Sequence, residues 1–315
     1  MNSKKIIILL ATYNGEAFIS AQLESILSQT NTDWELLIHD DNSTDRTVEI
    51  LREYTQKFSD KITFIDDTIS LKSAKKNFSY LLEKVKTANT YIMFADQDDI
   101  WHQDKIEVTL QKMFTIEKEN PDIPVLVHTD LVVTDEKLTP VASSFWKYAK
   151  IDPSKSSLAK ILMQNSITGC TVMINPLLVQ KSVPIPDEAI MHDWWLGLVA
   201  AKFGKIGWID RATMLYRQHS SNDTGAKPFN IRTVIHKILA YSDKTLLQET
   251  LKRNFIQAQV FLERYRSELT ENEIDMLEQF SQLEKKNFFE KRFILLKYGL
   301  LKYGFIRNIG LLGRI

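Results

Sequence analysis

The chain opens on an unbroken apolar run, Ile6 to Ala11, that stops at the polar turn Thr12-Tyr13-Asn14-Gly15. Strands covered on both faces are continuously apolar, so the run predicts an inner strand of a parallel sheet. Phe18 to Gln29 follows with Ile19, Leu23, Ile26 and Leu27 at helical spacing. The same alternation continues: a strand over Trp34–His39, a helix over Asp45–Phe58, a strand over Ile62–Ile65, a helix over Phe78–Val85 and a strand over Tyr91–Ala95. Ser43 or Thr44 is the expected cap of the second helix. Strand–helix alternation predicts right-handed βαβ units. Polar clusters stand directly after the strands, at Thr12-Tyr13-Asn14, Asp40-Asp41-Asn42-Ser43 and Asp96-Gln97-Asp98-Asp99. Open α/β sheets bind ligands at the carboxyl ends of their strands, so these clusters are expected to face one crevice.

Beyond Asp99 the pattern loosens. Val125–Val133, Ser166–Asn175, Lys205–Ile209 and Thr213–Arg217 read as strands, and His192–Phe203 as a helix. After Gly225 no glycine occurs until Gly299, and helical periodicity dominates. The expected architecture is an α/β domain over 1–228, with a mostly parallel Rossmann-like sheet flanked by helices, and a helical C-terminal region over 229–315.

Charge and cysteine content narrow the function classes. Basic and acidic residues number 40 each, so no net charge favours a nucleic acid or another polyanion. Cys170 is the single cysteine, which excludes an internal disulfide and a Cys-based zinc centre and fits a reducing cytoplasm. Ile6–Ala11 is too short for a signal-peptide core, and no stretch is long and apolar enough to span a bilayer. Glycine-rich nucleotide loops and a GxSxG nucleophile elbow are both absent from the sequence.

The chemistry concentrates in five places. Asp96, Asp98 and Asp99 crowd three carboxylates into four residues, and a divalent cation relieves such repulsion. Oxygen ligands suit Mg²⁺ or Mn²⁺, which would bridge the diphosphate of a nucleotide donor. A solvated acidic turn is the bland alternative. Asp41 could accept a hydrogen bond from the N3–H of uracil or thymine, and the Tyr13 ring could stack on a base; both could equally shape ordinary turns. In Met191-His192-Asp193-Trp194-Trp195, Asp193 is either a helix cap or a general base, with tryptophan faces suited to a sugar. His219 lies in the polar run Tyr216-Arg217-Gln218-His219.

Ala11-Thr12-Tyr13-Asn14, Asp40-Asp41-Asn42-Ser43-Thr44-Asp45 and Asp96-Gln97-Asp98-Asp99, in this order and spacing, resemble the GT-A-fold family 2 inverting glycosyltransferases. Phe94 to Trp101, His192-Asp193-Trp194-Trp195 and Tyr216 to Asn222 are similar to the bacterial rhamnosyltransferase branch, of the streptococcal rhamnose-polysaccharide type. The resemblance covers about residues 4–225. It implies that Thr12 and Asp41 contact the nucleotide base, with Tyr13 and Asn14 shaping its pocket. It implies Asp96 at the ribose or metal, Asp98 as the main metal ligand, and His219 as another metal or phosphate contact. Asp193 matches the catalytic base, and Arg217 would offset charge on the leaving diphosphate. The implied donor is dTDP-L-rhamnose, or another nucleotide sugar such as a UDP-hexose, and the implied acceptor is a saccharide, lipid-linked in a cell-wall polysaccharide pathway. A non-catalytic saccharide- or nucleotide-binding protein would have no use for both Asp98 and Asp193. A nucleotidyltransferase would want basic residues in the loop after the first strand, where this chain has Thr12 to Glu16.

From Lys285 to Ile315 eight basic residues face the single acid Glu290, interleaved with Phe288, Phe289, Phe293, Leu296, Phe305 and other bulky apolar residues. Such a mixture suits an interfacial amphipathic helix at the inner leaflet. A helix packed on the catalytic domain or on a second copy of the chain is the alternative.

Overall fold

The computed structural model describes residues 5–86, 89–219 and 244–315. These residues form two compact units, one from 5–147, 167–185 and 191–219, the other from 148–166, 186–190 and 244–315.

The first unit is a nine-stranded mixed sheet flanked by helices. Its parallel half has the strands β1 (Ile6–Thr12), β2 (Trp34–Asp40), β3 (Ile62–Ile65) and β4 (Tyr91–Ala95) in the order β3-β2-β1-β4. β1 is hydrogen-bonded on both edges, and Ile8, Leu9 and Leu10 are wholly buried, which is why it reads as continuously apolar. The register sets Thr12 beside Asp40 and Leu10 beside Ala95. The ends of three strands, and the polar clusters that follow them, are therefore level.

The other half is built differently. β5 (Ile100–Trp101) is antiparallel to β9 (Lys205–Arg217), and β8 (Val172–Ile174) runs antiparallel between β4 and β6 (Val125–Thr134). β7 (Pro140–Ala142) hangs from β6. Two sequence expectations change here. Ser166–Asn175 is not one strand: a 3-10 turn over Gly169–Thr171 precedes the three residues of β8. Lys205–Ile209 and Thr213–Arg217 are not separate: one strand runs through both, and the polar interruption at Asp210 and Arg211 is a bulge where the register with β6 jumps from Thr129–Ile209 to Asp130–Ala212. The helix after β2 spans Thr47–Lys57 with Arg46 at its N-cap, so neither Ser43 nor Thr44 caps it.

The second unit is helical. A long helix, Lys244–Tyr265, uses buried Asn254 to bond the carbonyls of Leu162 and Met163 at the end of the helix Leu158–Met163. Glu271–Ser281 and Phe288–Lys297 both begin in capping boxes, Thr270 with Glu273 and Asn287 with Glu290. The last helix is Phe305–Arg314. Gly299 and Gly304 have φ of 65° and 84°, the left-handed conformation that separates the last two helices. None of the described helices is long and apolar enough to cross a membrane.

Gly204 turns the chain from the helix His192–Phe203 into β9. A Cβ there would lie 1.7 Å from the backbone oxygen of Pro124. Gly204→Ala is expected to cost about 2 kcal/mol or more, because backbone must move to admit the methyl. Chemical denaturation measures it, and an unchanged midpoint would refute the close approach.

Candidate active site

The three polar loops interlock. Asp40 accepts hydrogen bonds from the Thr12 hydroxyl (2.7 Å), the Ser43 amide (2.7 Å) and the Ser43 hydroxyl (2.6 Å). Asn14, at φ 47°, accepts from the Thr44 amide (2.8 Å) and donates its own amide to Ser43 Oγ (2.7 Å). Gln97 grips Tyr13 twice: its Oε1 accepts from the Tyr13 amide and its Nε2 donates to the Tyr13 carbonyl, both at 2.8 Å. A Cβ on Gly15 would fall 2.4 Å from Gln97 Oε1, so glycine lets these loops meet. Gln97 and Asp40 stand in the polar clusters but are not among the candidate site residues of the sequence. Both are the fasteners of the crevice.

The expected base-contacting residues are distributed by this network. Tyr13 presents a ring 56% exposed, available for stacking. The side chain of Thr12 is buried and turned to Asp40. Asp41 is buried and accepts from the amides of Leu71 and Ser73, tying the loop after β3 to the end of β2. A carboxylate has further acceptor positions, so this does not exhaust Asp41.

The acidic loop divides into three fates. Asp96 is half-buried, Asp98 is nearly buried, and Asp99 is wholly buried. Burial, with the charges of Asp98 and Asp96, raises the Asp99 carboxyl well above its ordinary range. Cys170 lies beside it, its thiol likewise pushed up by burial and by Asp99 and Asp96. Asp98 Oδ2 is 2.7 Å from His219 Nε2. The His219 ring stacks on Phe18 (centroids 4.8 Å apart), and the Arg217 guanidinium lies 4.7 Å from the Phe18 ring. Arg217 is buried and committed to the loop: its amide donates to Asp99 Oδ1 (3.2 Å), its Nε to the Asp98 carbonyl (2.8 Å) and its Nη1 to the Glu136 carbonyl. It braces the acidic turn from within.

These residues fit a hard divalent cation. Ligand atoms of Asp96, Asp99 and Cys170 lie within 4.8 Å of one another, while Asp98 faces His219. Asp99 and Cys170 are sealed in the core, and a thiol suits Mg²⁺ or Mn²⁺ poorly. Asp96 is the one member of the trio that is not buried.

Asp193 sits in the first turn of the helix His192–Phe203, whose N-terminal end favours negative charge; Met191 is the N-cap. Gly169 fits against this turn: a Cβ there would meet His192 Nε2 at 2.9 Å and Asp193 Cβ at 3.6 Å. Through Gly169 and Cys170 the chain connects Asp193 to the acidic loop. His192 packs between Phe78 and Phe94 (4.3 and 5.0 Å), and burial lowers its pKa to about 3, so it is a neutral core residue. Trp195 is also core, wholly buried with its Nε1 donating to the Ser182 carbonyl at 3.0 Å. Only Trp194 of the pair is half-exposed.

Residues 7–174, more than half the chain, match the family described as Glycosyl transferase family 2. The chain belongs to that family. It is 32% identical over 226 residues to dTDP-rhamnosyl transferase RfbG of Shigella flexneri, a match covering 69% of this chain and 74% of RfbG. It is 31% identical over 218 residues to the putative teichuronic acid biosynthesis glycosyltransferase TuaG of Bacillus subtilis, covering 64% of this chain and 74% of TuaG. Among solved structures it resembles S. aureus TarS 1–349 in complex with UDP-GlcNAc, with a TM-score of 0.55 at 17% identity, over 93% of this chain and 80% of that one. It also resembles the mannosyltransferase PcManGT of Pyrobaculum calidifontis in complex with GDP-Man and Mn²⁺, with a TM-score of 0.54 at 14% identity, over 94% of this chain and 74% of that one. The fold is that of the GT-A glycosyltransferases, and this family 2 member is a glycosyltransferase.

Asp99 makes the acidic loop pH-sensitive. Its folded-state pKa is raised, so its stabilising contribution is present at low pH and is lost as pH rises through the folded value. In chelator, Asp99→Asn is expected to gain thermal stability over the parent protein at pH 8, and less of it at pH 5. Melting curves at the two pH values check this; a pH-independent difference would contradict it.

Proposed function

We propose that the chain transfers L-rhamnose from dTDP-L-rhamnose to a lipid-linked saccharide, inverting the anomeric centre. The observation that supports the reading is the meeting of the strand-end loops: Asp98 faces His219 at 2.7 Å, Asp96 gathers with Asp99 and Cys170, and Gly169, next to Cys170, fits against the turn that carries Asp193. RfbG, named as a dTDP-rhamnosyl transferase, favours this donor over a UDP-hexose. WfgD of Escherichia coli, 33% identical over 114 residues that make up 36% of this chain, is named for a diphosphoundecaprenol-linked acceptor, which favours lipid linkage.

In this reading the Tyr13 ring stacks on the base and Asp41 accepts from its N3–H, while Asn14 and Thr12 fix the loop that carries the ring. Asp96, Asp98 and His219 would hold Mg²⁺ or Mn²⁺, which would supply positive charge against the diphosphate leaving group. Arg217 acts at one remove, by setting the backbone of the Asp98–Asp99 turn. Asp193 takes the proton from the acceptor hydroxyl as that oxygen attacks the anomeric carbon. One displacement on a β-linked donor gives an α-L-rhamnosyl product.

A donor screen following nucleoside diphosphate release tests the reading. dTDP-L-rhamnose is expected to turn over faster than UDP-hexoses, with the rate abolished by excess chelator and nearly abolished in Asp98→Asn. Faster turnover of a UDP-hexose overturns the donor, and full activity in chelator overturns the metal. Asp193→Asn is expected to bind donor normally and to transfer roughly 10²-fold more slowly. Loss of donor affinity instead would make Asp193 a binding residue.

The C-terminal helices support a peripheral position at a membrane surface. Phe289, Phe293, Phe305 and Ile309 are 79%, 67%, 80% and 51% exposed, among basic residues. Ile294, Leu295, Leu300 and Leu311 are buried in the second unit. The tail is thus packed on one side and apolar on the other.

A further inference from the structure

The second unit holds a cavity of about 380 Å³ whose walls carry Lys150, Lys155, Lys160 and Lys302 against one acid, Asp152. Lys155 takes that acid, at 3.0 Å. No described carboxylate pairs with Lys160, whose ammonium donates to the Leu301 carbonyl (3.0 Å), or with Lys302. Burial lowers the Lys302 pKa, and Arg314 and Arg307 lower it further; Lys160 is lowered by burial and by Lys155. Lys160 and Lys302 thus share the cavity wall with no described carboxylate beside them, an arrangement that an anion would relieve.

The walls are fastened in place. Tyr303 donates its hydroxyl to the Lys155 carbonyl at 2.6 Å. Arg307 donates to the carbonyls of Ala149 (2.7 Å) and Lys150 (3.2 Å). Asn308 accepts from the Lys302 amide (2.8 Å) and donates to its carbonyl (2.9 Å). The helix Phe305–Arg314 starts at this cavity with Gly304 as N-cap and no side-chain cap, so its first amides add a partial positive charge. Phe305, itself a lining residue, projects from the rim. Arg292, over the Phe288 ring at 3.3 Å, reaches the Ile315 carbonyl at 3.5 Å and ties the preceding helix to this one.

We propose that the cavity binds the diphosphate head group of a membrane lipid, with Lys160 and Lys302 as its cationic ligands and the exposed face of Phe305 and Ile309 in the lipid surface. A basic hollow alone would suit any phosphate. The exposed apolar side chain at its mouth is what selects a phosphate carried on a lipid. The proposal deepens the reading of a lipid-linked acceptor and rests on it for the identity of the lipid.

Two assays on the full chain separate the possibilities. Sedimentation with phosphatidylcholine vesicles, alone or carrying a polyprenyl diphosphate or phosphatidylglycerol, measures lipid binding. Calorimetry with inorganic diphosphate measures the cavity. The polyprenyl diphosphate vesicles are expected to bind most tightly. Lys302→Gln is expected to weaken that binding roughly tenfold or more and to weaken inorganic diphosphate in parallel, with Lys302→Arg retaining both. Lys155→Gln, at an exposed position, is expected to weaken both without endangering the fold. Phe305→Ser is expected to reduce vesicle binding and spare inorganic diphosphate. Unchanged binding in both lysine-to-glutamine variants, or equal binding to phosphatidylglycerol vesicles, would overturn the head-group site. Nucleoside diphosphate release with a soluble acceptor, measured on the same variants, reports the transferase reading separately.

Discussion

Three carboxylates packed into four residues at the end of a buried strand form the constraint around which the first unit is arranged. Asp99 is placed where an ionised carboxylate is least tolerated, behind Asp96 and Asp98. Nearly everything near it answers that problem. The Arg217 amide bonds its Oδ1, the Arg217 side chain fixes the neighbouring carbonyl, and His219 faces Asp98. Lys105 is wholly buried, its ammonium 3.3 Å from the Thr213 hydroxyl, and burial draws its pKa down to about 8 against the opposing pull of Cys170 and Asp99. Burial and the charges of Asp98 and Asp96 hold Asp99 toward its neutral form, and a carboxyl perturbed in this way is a common mark of a functional centre.

The same constraint explains why the crevice is fastened by neutral groups. Gln97 and Asn14 carry no charge, yet they join the acidic loop to the turn after β1 and that turn to the Asp40 loop. A cation in the place of Gln97 would compete for the aspartates, and another carboxylate would add to their repulsion. An amide supplies a donor and an acceptor at once, which is what the backbone of Tyr13 requires.

The second unit solves the opposite problem. Its lysines gather around a hollow and its aromatic residues stand exposed beside it, both of which cost stability unless something covers them.

Much of this was legible in the sequence. The continuous apolar run Tyr91–Ala95 marks a strand buried on both faces, and this strand, Ile62–Ile65 and the helix His192–Phe203 have the bounds that the sequence pattern predicts. The alternation of strand and helix determined the parallel half of the sheet, and with it the level at which the polar clusters meet. What the tertiary structure alone decided is which side chain of each cluster faces the crevice and which is used to build it. Asp40 and Asp41 are adjacent acids, yet one binds Thr12 and its own loop and the other a loop thirty residues on. Arg217, a candidate diphosphate contact by sequence, also bonds the backbone of the acidic turn, and Trp195 of the tryptophan pair lies in the core. The bulge that fuses two expected strands into β9 depends on its partner β6, which no local pattern encodes. Periodicity records burial, because burial acts on every residue of an element alike; hydrogen-bond partners distant in sequence are chosen only when the elements pack.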